Sequence, residues 1–193
     1  MDWIKRLLFR KKYLMEVLSP PDVSPDVISE LHIAAYEGDV ERVKKLLEKG
    51  ANPNIQDEVG RTPLHRAAYE GHVDAVKLLL EHGADPNIKN EVGRTPLHYA
   101  AAEGHVDAVK LLLERGADPN IQNEYGDTPL HMAVYWGRVD VVKLLLEYGA
   151  DPTVKDEDGR TPLDLAIVTG RRMVVLVIGE WLRRGGGPPQ RRF

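Results

Sequence analysis

The tetrapeptide Thr62-Pro63-Leu64-His65 returns as Thr95-Pro96-Leu97-His98 and Thr128-Pro129-Leu130-His131, and a fourth version is Thr161-Pro162-Leu163-Asp164. Each copy follows the last by 33 residues. A decayed copy, Ser29-Glu30-Leu31-His32-Ile33-Ala34-Ala35, lies one period earlier. Self-similarity at a fixed period of this length restricts the chain to a solenoid, in which each unit is one supersecondary element stacked on its neighbours.

One unit can be read from its residues. Thr62 suits a helix N-cap, where its hydroxyl accepts from an orphan amide. Pro63 at the first helical position loses no hydrogen bond. Leu64, Ala67 and Ala68 give a short helix with a small-residue face, and Gly71 ends it. Val73, Val76, Leu79 and Leu80 then recur at helical spacing, with Asp74, Lys77 and Glu81 pointing away. Gly83 and Pro86 stop this second helix, and Asp85-Pro86-Asn87 and Glu58-Val59-Gly60 are turn chemistry around a short link. Helices this short cannot bury their apolar faces alone, so copies stack.

Over residues 26–184 this frame resembles the ankyrin-repeat family. The resemblance implies an all-α solenoid of stacked helix-turn-helix units with protruding β-hairpin loops. It covers five repeats, of which the first and last are atypical caps. Residues 1–18 read as a basic amphipathic helix, 19–25 as a Pro-rich linker, and 185–193 as a flexible basic tail. For 1–18 three roles stand: a cap on the first repeat, a membrane-surface anchor, or a partner-binding segment.

Composition narrows the function. The chain has no cysteine, which excludes disulfides, thiol chemistry and cysteine-ligated zinc. No apolar run is long enough to span a bilayer, and basic residues interrupt 1–18 too often for a signal peptide, so the cytoplasm is the expected compartment. The two ends carry +3 (1–18) and +5 (171–193), so the net −4 leaves −12 for 19–170. An acidic body of this kind does not track a phosphate backbone, and no nucleic acid is expected.

No catalytic constellation emerges. His32, His65, His98 and His131 are one frame position repeated, and His72 and His105 are another. The family resemblance implies structural roles for them, bonding neighbouring hairpins or capping helices. No pair has the spacing of a zinc site, no serine sits in a nucleophile turn, and each glycine serves a turn or helix end. We expect no enzyme activity, no metal and no cofactor.

Recognition remains. Positions that vary between copies at the end of the first helix and at the hairpin tips line the concave side in ankyrin-like proteins, where partners usually bind. Here they hold Tyr69, Glu70, Arg94, Glu103, Tyr125, Asp127, Tyr135 and Trp136, the expected binding residues for a protein partner. Trp136 stands where the three preceding units have glutamate. In the last unit Met173 and Leu176 replace the acid and base of Asp74/Lys77, Asp107/Lys110 and Asp140/Lys143. They mark a surface for self-association, giving a monomer or weak homo-oligomer. The expected function is a non-enzymatic interaction scaffold or adaptor. The alternatives are a membrane adaptor held by 1–18 and a self-associating regulatory subunit.

Overall fold

The computed structural model describes residues 29–185. The expectations for the 1–18 helix, the 19–25 linker and the tail beyond Gly185 lie outside the described residues. Among the described residues ten α-helices form five pairs: α1 (Glu30–Glu37) with α2 (Val40–Glu48), α3 (Pro63–Glu70) with α4 (Val73–Glu81), α5 (Pro96–Glu103) with α6 (Val106–Glu114), α7 (Pro129–Trp136) with α8 (Val139–Glu147), and α9 (Pro162–Val168) with α10 (Arg172–Arg183). The first helices of successive pairs pack on one another in one row, and the second helices pack in another. Among the described residues there is no strand. The expected hairpins are present as hydrogen-bonded turns, closed by pairs such as Asp57 N to Arg61 O at 2.9 Å.

The core runs unbroken through the stack, because each unit buries what the next one covers. Leu64, Ala67, Ala68, Val76 and Leu79 are fully buried, as are Leu97, Ala100, Ala101, Val109 and Leu112 one unit on. The paired alanines of the first three first helices, Ala34-Ala35, Ala67-Ala68 and Ala100-Ala101, let the neighbouring helix approach closely, which maximises dispersion contact between backbones. Hairpin also joins hairpin through the main chain: Glu91 N donates to Val59 O, Glu124 N to Val92 O and Glu157 N to Tyr125 O, at 3.0–3.1 Å.

The cap differs from the simple N-cap expected. At Thr62 and Thr95 the histidine three residues on reaches back: His65 Nδ1 accepts from Thr62 N at 3.0 Å and lies 2.8 Å from Thr62 Oγ1. At Thr128 and Thr161 the hydroxyl also accepts from the amide three residues on. The histidine is therefore part of the capping box and not a free imidazole.

Gly71 ends α3 at φ 75°, and a Cβ there would lie 2.5 Å from His105 Nδ1 in the next unit. Gly116 has φ 88° but open space around it. Gly71→Ala is thus expected to cost about 2 kcal/mol or more, and Gly116→Ala only the backbone strain of about 1 kcal/mol. Urea unfolding of the two variants checks this; equal losses would mean that the contact with His105 contributes nothing.

Candidate protein-docking surface

Two sets of bridges hold the units in register. Forward, His32, His65, His98 and His131 each donate from Nε2 to a carbonyl of the next hairpin: Arg61 O (2.8 Å), Arg94 O (3.0 Å), Asp127 O (3.1 Å) and Arg160 O (3.3 Å). Backward, His72 and His105 donate from Nε2 to Tyr36 O and Tyr69 O, and in later units Arg138 Nε and Arg171 Nε donate to Ala102 O and Tyr135 O. The histidines thus have the structural roles the resemblance implied. Burial holds His65 neutral, with its pKa lowered to about 4, and His98 lower still at about 3. His32 and His131 are lowered for the same reason.

A third register device lies at the base of each hairpin. Asp57, Asn90 and Asn123 accept the amides two and four residues on through Oδ1, and Asp156 accepts the amide of Arg160. What the other side-chain atom meets depends on the unit. Asp57 Oδ2 receives Arg66 at 2.9 Å and Arg61 at 3.1 Å, whereas Asn90 Nδ2 donates to Tyr99 Oη at 2.9 Å. Asn123 lies opposite Met132 in the repeat frame, and its Nδ2 is buried without an acceptor among the described residues. These contacts place the hairpins alongside the first helices, so the hairpin row and the helix-end row border one surface.

The structure sorts the expected binding residues into two groups. Arg94 and Asp127 are each 1% exposed, and Tyr135 is 9% exposed. The expectation that these three stand open to a partner is corrected: they are interior residues. The two middle hairpins bury their fifth residue, Arg94 or Asp127, whereas Arg61 and Arg160 at the same position stay half-buried and pair with Asp57 and Asp156, and the Tyr135 ring is covered at the end of α7. Tyr69, Glu70, Glu103, Tyr125 and Trp136 remain partly open. Tyr69 meets Tyr99 edge-on at 6.0 Å and 81°, and Trp136 meets Tyr135 edge-on at 5.3 Å and 86°. Trp136 packs in part against the core, and its Nε1 is buried without an acceptor among the described residues. Trp136 therefore also supports the fold, which its variable position in the repeat frame did not suggest.

Carboxylates crowd this row. Burial raises the pKa of Glu103, with Arg138 pulling the other way, and burial followed by the charges of Glu103 and Glu70 raises that of Tyr69. One exposed glutamate per hairpin, Glu58, Glu91, Glu124 and Glu157, adds to the negative field. Tyr36 also stands exposed in the helix-end row. It is not among the expected binding residues, and its place as an aromatic in that row is the sequence signal that marks it.

Met173 and Leu176 are each 60% exposed on α10, as their place in the frame required, and Ile167 and Val168 of α9 are exposed beside the open end. Among the described residues no group of three or more potential ligands could hold a metal ion, and no helix is long and apolar enough to cross a membrane.

The family model for ankyrin repeats (three copies) matches residues 31–123 and 117–180. No curated protein matches the chain. Ankyrin repeats are generally protein–protein interaction modules, and the family is typically non-enzymatic. The match runs from α1 into α10, and the chain belongs to the ankyrin-repeat family.

Proposed function

We propose that this chain is a scaffold or adaptor whose protein partner docks on the concave surface between the helix-end row and the hairpin row, centred on Trp136. The observation that carries the reading is a substitution within the repeat. Glu37, Glu70 and Glu103 occupy this position in the first three units, and an indole edge-on to Tyr135 occupies it in the fourth. Trp is the residue type that anchors interfaces at low rotamer cost, and this one keeps part of its ring open while its neighbour Tyr135 is buried. Tyr69, Tyr36 and Tyr125 extend the apolar part of the surface, and Glu70, Glu103 and the hairpin glutamates supply its charge. The partner segment that fits combines an apolar anchor with Lys or Arg, since opposite charge speeds encounter and selects register.

The test uses Trp136→Glu, which restores the residue of the first three units, with its melting temperature measured alongside because Trp136 also packs against the core. The wild-type chain and this variant serve as paired baits, and affinity for the captured partner is then measured by calorimetry. Loss of the anchor is expected to weaken binding by about 2 kcal/mol or more. Glu70→Ala, at the rim, is expected to change it by well under 1 kcal/mol. A partner that binds Trp136→Glu as tightly as the wild type would place the docking surface elsewhere.

A further inference from the structure

Four positions of the last second helix depart together from the internal pattern. Arg172 replaces Val73, Val106 and Val139; Met173 replaces an aspartate; Leu176 replaces a lysine; Gly179 replaces Leu80, Leu113 and Leu146. Helical geometry puts these four on one broad face of α10 with Glu180, while Val174 and Ile178 face the core.

A further repeat stacked on the open end cannot be what covers Met173 and Leu176. Asp107, Lys110, Asp140 and Lys143 occupy the same positions in units with neighbours on both sides, and all four are exposed. The last unit has also lost the side chains that reach forward. Asp164 stands in place of the bridging histidine, and its carboxylate is spent on the Thr161 amide and hydroxyl. Thr153 stands in place of Asn54, Asn87 and Asn120, whose Nδ2 groups donate to Gly83, Gly116 and Gly149 of the following unit.

We propose that the outer face of α10 is a twofold interface with a second copy of this chain, the two helices running antiparallel and crossing at Leu176. The face is self-complementary about that residue. Arg172 and Glu180 each lie four positions from Leu176, about 6 Å along the axis in opposite directions. A twofold there sets Leu176 on its counterpart and Arg172 of each copy on Glu180 of the other. Met173 and Gly179 are three positions away on either side, so the methionine of one copy enters the gap left by the glycine of the other. Glu180 is already held by Arg184 on its own helix, and as an exposed pair it can be shared with the incoming Arg172 at little cost. Such a face is a fraction of the about 800 Å² per partner that a standard interface buries, so the dimer is weak, with a dissociation constant on the order of 100 μM. Isologous pairing closes at two copies and does not propagate. A dimer of this kind carries two copies of the concave surface, which favours a partner with two binding segments.

Sedimentation velocity of the full chain from about 10 μM to about 1 mM is expected to show the mass rising toward twice the monomer. Met173→Asp with Leu176→Lys, the internal pattern, is expected to stay monomeric with an unchanged melting temperature. Arg172→Glu is expected to weaken dimerisation about ten-fold, and adding Glu180→Arg to recover it, because the swap restores opposite charges across the twofold. A wild type that stays monomeric throughout, a dimer that survives Met173→Asp with Leu176→Lys, or a charge swap that recovers nothing would each overturn the interface. So would binding of the monomer to phosphatidylcholine vesicles containing phosphatidylserine that the Met173→Asp, Leu176→Lys variant loses, since the face would then belong to a membrane surface.

Discussion

Taking the protein from pH 7 to pH 4 is expected to remove about 3 kcal/mol of stability for each of His65 and His98. Burial lowers their folded pKa values to about 4 and about 3, while the unfolded chain titrates near the ordinary histidine value of 6.5. Between those limits the unfolded state binds more protons, so stability is complete above about pH 6.5 and falls as the pH drops toward 4. The cause lies in the bridges: each ring accepts from a threonine amide through Nδ1 and donates to the next hairpin through Nε2. A second ring proton would face the Thr amide with no acceptor in a site that excludes water. His32 and His131, lowered in the same direction, add to the slope. Urea unfolding at pH 7, 6 and 5 measures it, and His98→Gln is expected to flatten it by one proton's share while lowering stability at pH 7. An imidazole titrating near 6.5 in the folded protein, followed by NMR, would remove the basis for this.

Replacing Asp57 by alanine is expected to cost about 3–5 kcal/mol, among the largest losses for any single polar side chain here. Its Oδ2 receives Arg66 and Arg61, and its Oδ1 receives the amides of Val59 and Arg61. Arg66 is buried, so removing the carboxylate leaves a guanidinium without its counter-charge inside the stack. Burial pushes the Asp57 carboxyl up, but the Arg61 amide and then the Arg61 and Arg66 charges outweigh it and hold its pKa below the ordinary value. That contribution is therefore present above the usual carboxylate range and is lost as the pH falls through the lowered value. The next unit supplies a neutral alternative at the same two positions, Asn90 with Tyr99. Asp57→Asn alone is expected to be strongly destabilising, and Asp57→Asn with Arg66→Tyr to return to within about 1 kcal/mol of the wild type, a coupling that a double-mutant cycle reads directly. Additive losses in that cycle would show that the pair is not the unit of stability.

How much of this was legible in the chain follows from which interactions repeat. Pro63, Gly71 and the Val73–Leu80 spacing are local signals, and they predict the helix pair at each copy because capping, glycine conformation and helical period act within a few residues. The bridging histidines are one position recurring in four units, and their structural role is legible through the family resemblance that the repeat frame carries. The docking surface was legible only in part. Trp136 and Tyr69 stand out as variable aromatics, but a variable position is not thereby an exposed one: Arg94, Asp127 and Tyr135 vary and are buried. A charge one period after an opposite charge looks the same in the sequence whether it faces water or the neighbouring hairpin.

The sequence by itself determined the period, the helix pairs, the solenoid and the two misplaced apolar residues of α10, because each rests on contacts close in the chain or on a pattern copied from unit to unit. Only the tertiary structure decided which hairpin residues turn inward, that Trp136 leans on the core, and that Asp57 pairs with Arg66 while Asn90 pairs with Tyr99. The physical reason is that burial and pairing at the joints depend on the residue 9, 29 or 36 positions away that happens to lie opposite. Those partners change between units even where the backbone frame does not.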